Sequence, residues 1–298
     1  MHALKRIATN FYAFSTQPYR WLKKRSLSKQ NSLPIPVLFY HRVSDVHQNP
    51  WTIPTEQFIQ QMDWLRKRFE IISLEEVKNR IRNGNSQPAV AITFDDGYAD
   101  NCLTAIPYLV KNQIPATYFV SVDFVLNDKP FPHDVQAGQP LSPNGIESLR
   151  LISRAGIEIG AHTRTHIDLG KVTDGEKLFD EVVTAKQELE SFLEQKIRHF
   201  AFPFGQVENL NEEVFELAKK HGFTTVSSAF GGYNAIGSDG FHLQRIHGDP
   251  EIARFRNWMT FDPRMLRVKG YSAPDVSTIE PLKESEMTLE TRPVPHEV

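Results

Sequence analysis

With one cysteine, Cys102, in 298 residues, the chain has nothing with which to close an intramolecular disulfide. Its fold therefore requires no oxidising compartment. Cys102 reads as a small core residue in the helix that follows Asp96. Long apolar runs are missing too, since no stretch approaches the roughly 20 residues of a membrane span. Leu4 to Asn10 is broken by polar side chains and lacks the apolar centre of a secretory leader, so a cytoplasmic protein is expected. Neither charge is in excess: 34 Lys and Arg stand against 36 Asp and Glu, for a formal net charge of −2. That balance argues against a general nucleic-acid binder, which would show a strongly basic domain. At this length the chain holds one α/β barrel or two smaller domains.

Acidic residues are absent from residues 1–31, where Lys5, Arg6, Arg20, Lys23, Lys24, Arg25 and Lys29 alternate with Leu4, Ile7, Phe11, Tyr12, Phe14, Tyr19, Trp21 and Leu22. Two readings stay open for this basic N-terminal arm. It lies peripherally on an anionic membrane surface, at the inner face, or it is a disordered or loosely packed extension.

What the chain does have is a short apolar, β-branched run, Val90 to Phe94, that stops at Asp95-Asp96-Gly97. Side chains alternate faces along a strand, so two adjacent aspartates at its end cannot both be ordinary solvated residues. Leaving them uncompensated next to apolar neighbours costs several kcal/mol, which a cation, a proton or a substrate must offset. A plain Asp-Gly turn is the bland alternative. A second apolar strand, Gly156 to Ala161, runs into His162-Thr163-Arg164-Thr165-His166. Two imidazoles and a carboxylate suit a Zn²⁺-like divalent metal with three protein ligands and an open position. Asp96, His162 and His166 are the expected ligands, and Asp95 is left to take a proton from water.

Thr93-Phe94-Asp95-Asp96-Gly97 followed by His162-Thr163-Arg164-Thr165-His166 resembles the first two motifs of the polysaccharide deacetylases, the NodB-homology enzymes of carbohydrate esterase family four. Phe202-Pro203-Phe204-Gly205 stands where that family ends its third motif in Pro-Tyr-Gly, and the resemblance runs from about Pro36 to the region of Pro250. It implies an α/β fold, a distorted (β/α) barrel of fewer than eight strands, and removal of N-acetyl or O-acetyl groups from a glycan; a lipid-linked amino sugar is expected where the basic arm lies on a membrane. It implies Asp95 as base, zinc as the usual metal, the N–H of Phe204 as oxyanion donor, and His247 in Leu243-Gln244-Arg245-Ile246-His247 as general acid. Many members carry an arginine where Ala201 stands, and it orients the base; its absence leaves that pairing in doubt. Two further residues stay open. Either His247 is that acid, or Arg245 faces the site and His247 lies on the loop beyond it; His41, at the end of a first strand, contacts substrate or only bonds neighbouring loops.

The remaining pattern alternates strands and helices, as a parallel α/β arrangement does. Helices are expected at about 55–69, from Ser73 to Asn83, 101–111, 144–155, 173–192, 211–221 and 255–261. The helix at 173–192 reads as core packing alone, opened by a capping box at Thr173 and Glu176. Prolines 130, 132, 140 and 143 predict a long loop over 123–143. The catalytic domain is expected over 32–270, with a disordered tail at 271–298. A metal amidohydrolase acting on a formamido sugar, and an inactive glycan-binding scaffold, are the competing functions.

Overall fold

The computed structural model describes residues 2–248, 251–267, 271 and 273–283. The strands are β1 (Val37–Tyr40), β2 (Arg42–Val43), β3 (Thr52–Ile53), β4 (Glu70–Ile71), β5 (Ala89–Phe94), β6 (Thr117–Val120), β7 (Glu158–Ala161), β8 (His199–Ala201), β9 (Thr225–Ser227), β10 (His242–Leu243) and β11 (Ile246–His247). The helices are α1 (His2–Lys29), α2 (Thr55–Arg66), α3 (Leu74–Asn83), α4 (Ala105–Lys111), α5 (Val122–Asn127), α6 (Pro132–Gln136), α7 (Ile146–Arg154), α8 (Gly175–Phe179), α9 (Ala185–Leu193), α10 (Glu212–Lys220) and α11 (Ile252–Met259). Helices of the series cross over between successive parallel strands, as parallel pairing demands.

The main sheet runs β10-β9-β8-β7-β6-β5-β1-β11, with β4 added beside β5. Every pairing along it is parallel. β10 and β11 lie at opposite ends of this order, yet β10 ends at Leu243 and β11 begins at Ile246. Three residues of chain reach at most about 11 Å. The sheet must therefore curl until its two edges face one another across Gln244 and Arg245. This is the expected distorted barrel; taking β10 and β11 as two pieces of one interrupted segment, it has seven staves.

Alternation along the strands builds two cores. Val90, Ile92 and Phe94 of β5 and Leu38 and Tyr40 of β1 face outward against the helices. Ala89, Ala91 and Val37 face inward with Phe119 and Leu243. Phe119 fills this interior because Gly160 leaves it room: a Cβ there would stand 2.4 Å from the ring.

Several expectations need correction. The proline-rich stretch 123–143 is not a plain loop, because it contains α5 and α6. Pro132 occupies the first turn of α6, where its missing N–H costs nothing. Phe131 is fully buried and stacks on Phe124 at 4.1 Å. The cap of α8 is Asp174, whose carboxylate accepts from the Glu176 N–H at 2.9 Å; Thr173 does not play that part. Between α8 and α9, Asp180–Thr184 form a π-helical turn.

The N-terminal arm is a helix docked on α11, not a loose extension. Tyr12 donates to Asp262 Oδ1 at 2.8 Å, and Arg20 reaches Asn257 O and Thr260 Oγ1, both at 2.9 Å. The tail is ordered in part as well: Val276 is buried, and the Leu282 N–H donates to Lys220 O at 2.8 Å. Its end, 284–298, lies outside the described residues.

Candidate active site and metal centre

All strands of the barrel being parallel, their C-terminal ends share one rim, where such folds collect their chemistry. β5 delivers Asp95 and Asp96 to that rim, β7 delivers His162, β8 leads into Phe204, and β1 and β11 end at His41 and His247. The alternation that splits the two cores continues one step beyond β5, so the two carboxylates part company.

Asp95 follows the inward register of Ala89, Ala91 and Thr93. There it meets Arg245, which is fully buried and projects from the segment bridging β10 and β11. The guanidinium grips the carboxylate with two parallel bonds, Nη1 to Oδ1 at 2.7 Å and Nη2 to Oδ2 at 2.9 Å. Two further donors go to Ser228 O at 2.7 Å and Thr93 Oγ1 at 3.0 Å, which fixes its orientation. Phe39 and Phe119 flank it at 5.0 and 5.4 Å. Burial alone would raise the Asp95 pKa, but the charges of Arg245 and His162 outweigh it and hold the carboxyl below its ordinary value. Asp95 is thus paired with an arginine despite Ala201; the cation arrives from the β11 side of the sheet. Of the two positions open to Arg245, it takes the one facing the site.

Asp96 points the other way and has no such partner. Its Oδ1 is buried without a hydrogen bond, 3.2 Å from His166 Nε2 and 3.5 Å from His162 Nε2. One donor atom from each of Asp96, His162 and His166 lies within 4.8 Å of the others. His162 Nδ1 stands 2.7 Å from Ala201 O. A carbonyl only accepts, so Nδ1 carries the proton and the Nε2 lone pair faces the carboxylate. Two lone pairs directed at one another in a buried site repel unless a cation lies between them. Bonds of about 2.0–2.1 Å to a tetrahedral ion would separate the ligand atoms by about 3.3 Å, close to the two short spacings. The donor set fits a divalent metal. Burial would raise the Asp96 carboxyl; in place of a metal, protons on the His166 and His162 imidazoles would pull it well below its ordinary value.

The loop carrying the histidines is held from below by a residue that sequence reading passed over as part of a packing helix. Glu181, fully buried on the π-helical turn, accepts from the N–H groups of Arg164 and Thr165 at 3.0 and 2.9 Å and from Thr165 Oγ1 at 2.6 Å. Lys177 Nζ balances its charge at 2.8 Å. A buried glutamate in an apolar helical repeat was the signal available in the sequence. Within the loop, Thr163 Oγ1 accepts from the His166 N–H at 2.9 Å. Asp96, Thr163, His166 and Phe204 all adopt left-handed backbone, with φ of 71°, 64°, 56° and 59°. Conformations of this kind cost about 1–3 kcal/mol each and gather at functional sites.

Phe204 crosses the rim on the turn closed by the Gly205 N–H to Pro203 O bond of 2.6 Å, and its exposed ring meets His166 edge-on at 5.1 Å. His41 and His247 flank Phe39 with ring centroids 5.7 and 5.2 Å away, and Trp51 contacts both. Burial lowers the proton affinity of His41 against the pull of Asp96 and Asp95. Burial, with His41 nearby, brings the His247 pKa down to about 4. A second wall is built by α6, in the stretch expected to be a loop: Tyr98 donates to Asp134 at 2.7 Å and sits 3.0 Å from His133 Nε2, while Phe131 meets His166 at 5.3 Å. His133 and Asp134 thus belong to an ordered helix beside the histidines.

Comparison with known proteins gives the same frame. The Bacillus subtilis protein YxkH is 25% identical over 236 residues, 78% of this chain and 76% of its own length. A chitooligosaccharide deacetylase of a Bradyrhizobium species is 31% identical over 138 residues, 46% of this chain and 55% of that enzyme. This chain thus spans just over half of the second relative. The structure resembles a Streptococcus pyogenes deacetylase solved with acetate, with a TM-score of 0.64 at 20% identity, covering 76% of this chain and 98% of that one. At that identity the likeness bears on the fold. Residues 82–226 match the family model described as polysaccharide deacetylase. Asp95, Asp96, His162, His166 and Phe204 fall inside that segment, whereas His41, Arg245 and His247 fall outside it. The chain carries a domain of the polysaccharide deacetylase family.

Proposed function

We propose that this chain is a metal-dependent hydrolase that removes N-acetyl groups from an acetylated glycan, with Zn²⁺ as the preferred ion. One observation carries this reading: a carboxylate clamped by Arg245 lies next to a carboxylate and two imidazoles that lack any other cation. A pure binder would have no need for both. A divalent ion held by Asp96, His162 and His166 would supply Lewis acidity and bring the pKa of water toward about 7.

The chain's own groups would do the rest. Asp95, ionised and oriented by Arg245, accepts the proton of water as its oxygen adds to the amide carbon. The Phe204 N–H donates to the carbonyl oxygen as charge develops on it, a contact worth roughly 3–4 kcal/mol in acyl-transfer enzymes. His247 or His41 gives a proton to the nitrogen, the carbon–nitrogen bond breaks, and acetate and an amino sugar leave.

The substrate would belong to surface-carbohydrate synthesis, as a polymer or a lipid-linked amino sugar; its support is the chitooligosaccharide named for the Bradyrhizobium relative. The test is acetate release from N-acetylated and formate release from N-formylated oligosaccharides by the metal-loaded chain. Acetate release that scales with bound zinc is the expected result. Preferential formate release would move the substrate to formamido sugars. A chain that binds zinc tightly and releases neither product would overturn the hydrolase reading.

A further inference from the structure

The two sides of α1 are built for different surroundings. Tyr12, Thr16 and Arg20 recur at one helical turn and face the protein: Thr16 Oγ1 accepts from Arg20 Nε at 2.7 Å, and Tyr12 and Arg20 dock on α11 and the segment after it. The opposite side carries Ile7, Phe11, Phe14 and Leu22 at steps of three, four and eight residues, with Trp21 beside them. These are not covered. Phe11 is 72% exposed, Phe14 76%, Ile7 64%, Trp21 57% and Leu22 60%. Exposed apolar residues scattered singly need no explanation, but a row of large ones along one helix face does. At the C-terminal end of that row stand Arg25 and Lys29, both exposed, with the Arg25 guanidinium 5.3 Å from the Trp21 ring.

We infer that this face of α1 lies on an anionic lipid surface, with Ile7, Phe11, Phe14 and Trp21 entering the headgroup region and the basic cluster meeting lipid phosphates. Charge selects this occupant over a second copy of the chain. Two such helices packed face to face would bring their basic clusters together, and residues 1–31 hold no Asp or Glu to pair with them. A helix with bulky aromatics on one side and lysines and arginines along its edge has the composition of interfacial binders. Each basic side chain near an anionic surface contributes about fivefold in binding. Docking by Tyr12 and Arg20 holds the opposite side on the protein, so the apolar side is presented without refolding. The lipid contact does not depend on the deacetylase activity.

The experiment is sedimentation of the full chain with phosphatidylcholine vesicles, with and without phosphatidylglycerol, at low and high salt. Wild type should sediment with the phosphatidylglycerol vesicles and be released by salt. Phe11→Ser combined with Phe14→Ser should weaken that binding at least about tenfold. Arg25→Gln combined with Lys29→Gln should weaken it about 25-fold at low salt and less at high salt. An unchanged thermal melt by circular dichroism shows that the variants are folded. Failure to sediment, equal binding to neutral vesicles, or binding insensitive to the phenylalanine pair would each overturn the inference. So would a dimer that the phenylalanine pair dissociates in the absence of any vesicle binding.

Discussion

Asp95 and Asp96 are chemically identical neighbours, and the barrel treats them in opposite ways. Asp95 turns inward and receives a permanent protein cation, Arg245, through two charge-assisted bonds. Asp96 turns outward to two imidazoles and keeps a buried oxygen without a hydrogen bond. Alternation carried one step past β5 turns Asp95 inward, and the left-handed backbone of Asp96, with φ of 71°, sends the next carboxylate elsewhere. The lesson concerns charge: a carboxylate already satisfied by arginine is ionised, oriented and available to a proton, whereas one left unsatisfied beside imidazoles awaits an exchangeable cation.

Removing a ligand should erase the difference most completely. His162→Ala or His166→Ala is expected to lose both bound zinc and turnover, whereas Asp95→Asn should keep zinc and lose about 10²–10⁴ in kcat. Metal analysis beside acetate-release kinetics reads both halves. If Asp95→Asn loses its zinc, the separation of roles is wrong.

Arg245→Met attacks the other half. It strips a buried carboxylate of its partner, a change that costs about 3–5 kcal/mol. Urea unfolding should show this loss in the absence of metal, and added zinc should not repair it. A destabilisation under about 1 kcal/mol would mean that Asp95 is compensated from elsewhere.

Glu181→Gln probes the histidine half without touching a ligand. The fixed loop should loosen, and zinc affinity should fall about 10–100-fold, as for other supports of metal ligands. Turnover at saturating zinc should largely recover, which a collapsed fold would not allow. Titration with a zinc-buffered indicator measures the shift.

The smallest effect is on pH. His247 and His242 have pKa values lowered by burial to about 4, against an ordinary value near 6.5. Between these values the unfolded chain binds protons that the folded chain refuses, so stability should fall as pH drops from about 6.5 toward about 4. Unfolding midpoints measured across that window should slope less for His247→Gln. An identical slope would mean that His247 titrates normally in the fold.

Much of this was legible in the chain. The alternation of apolar strands with amphipathic helices announced a parallel α/β frame, and Asp95-Asp96 with His162 and His166 marked the rim, because those residue types are costly without a cation. Helix limits were blurred where local and tertiary preferences disagreed. Pro132 looked like a loop breaker and starts α6; Thr173 looked like a cap, and Asp174 is the cap. Glu181 was hidden within a helix whose repeat reads as plain core, since nothing local shows that its carboxylate reaches a loop 16 residues earlier in the chain.

Composition and periodicity by themselves settled the strands, the two carboxylates and the two imidazoles, because alternation and the cost of stranded charge are properties of a few adjacent residues. Strand order in the sheet decided the remainder. Arg245 lies 150 positions from Asp95, and it meets that carboxylate because β11, which it precedes, pairs with β1 and β1 with β5. It likewise took the docking of α1 through Tyr12 and Arg20 to determine which side of that helix faces outward. Such pairings depend on distance through space, which residue order does not encode locally.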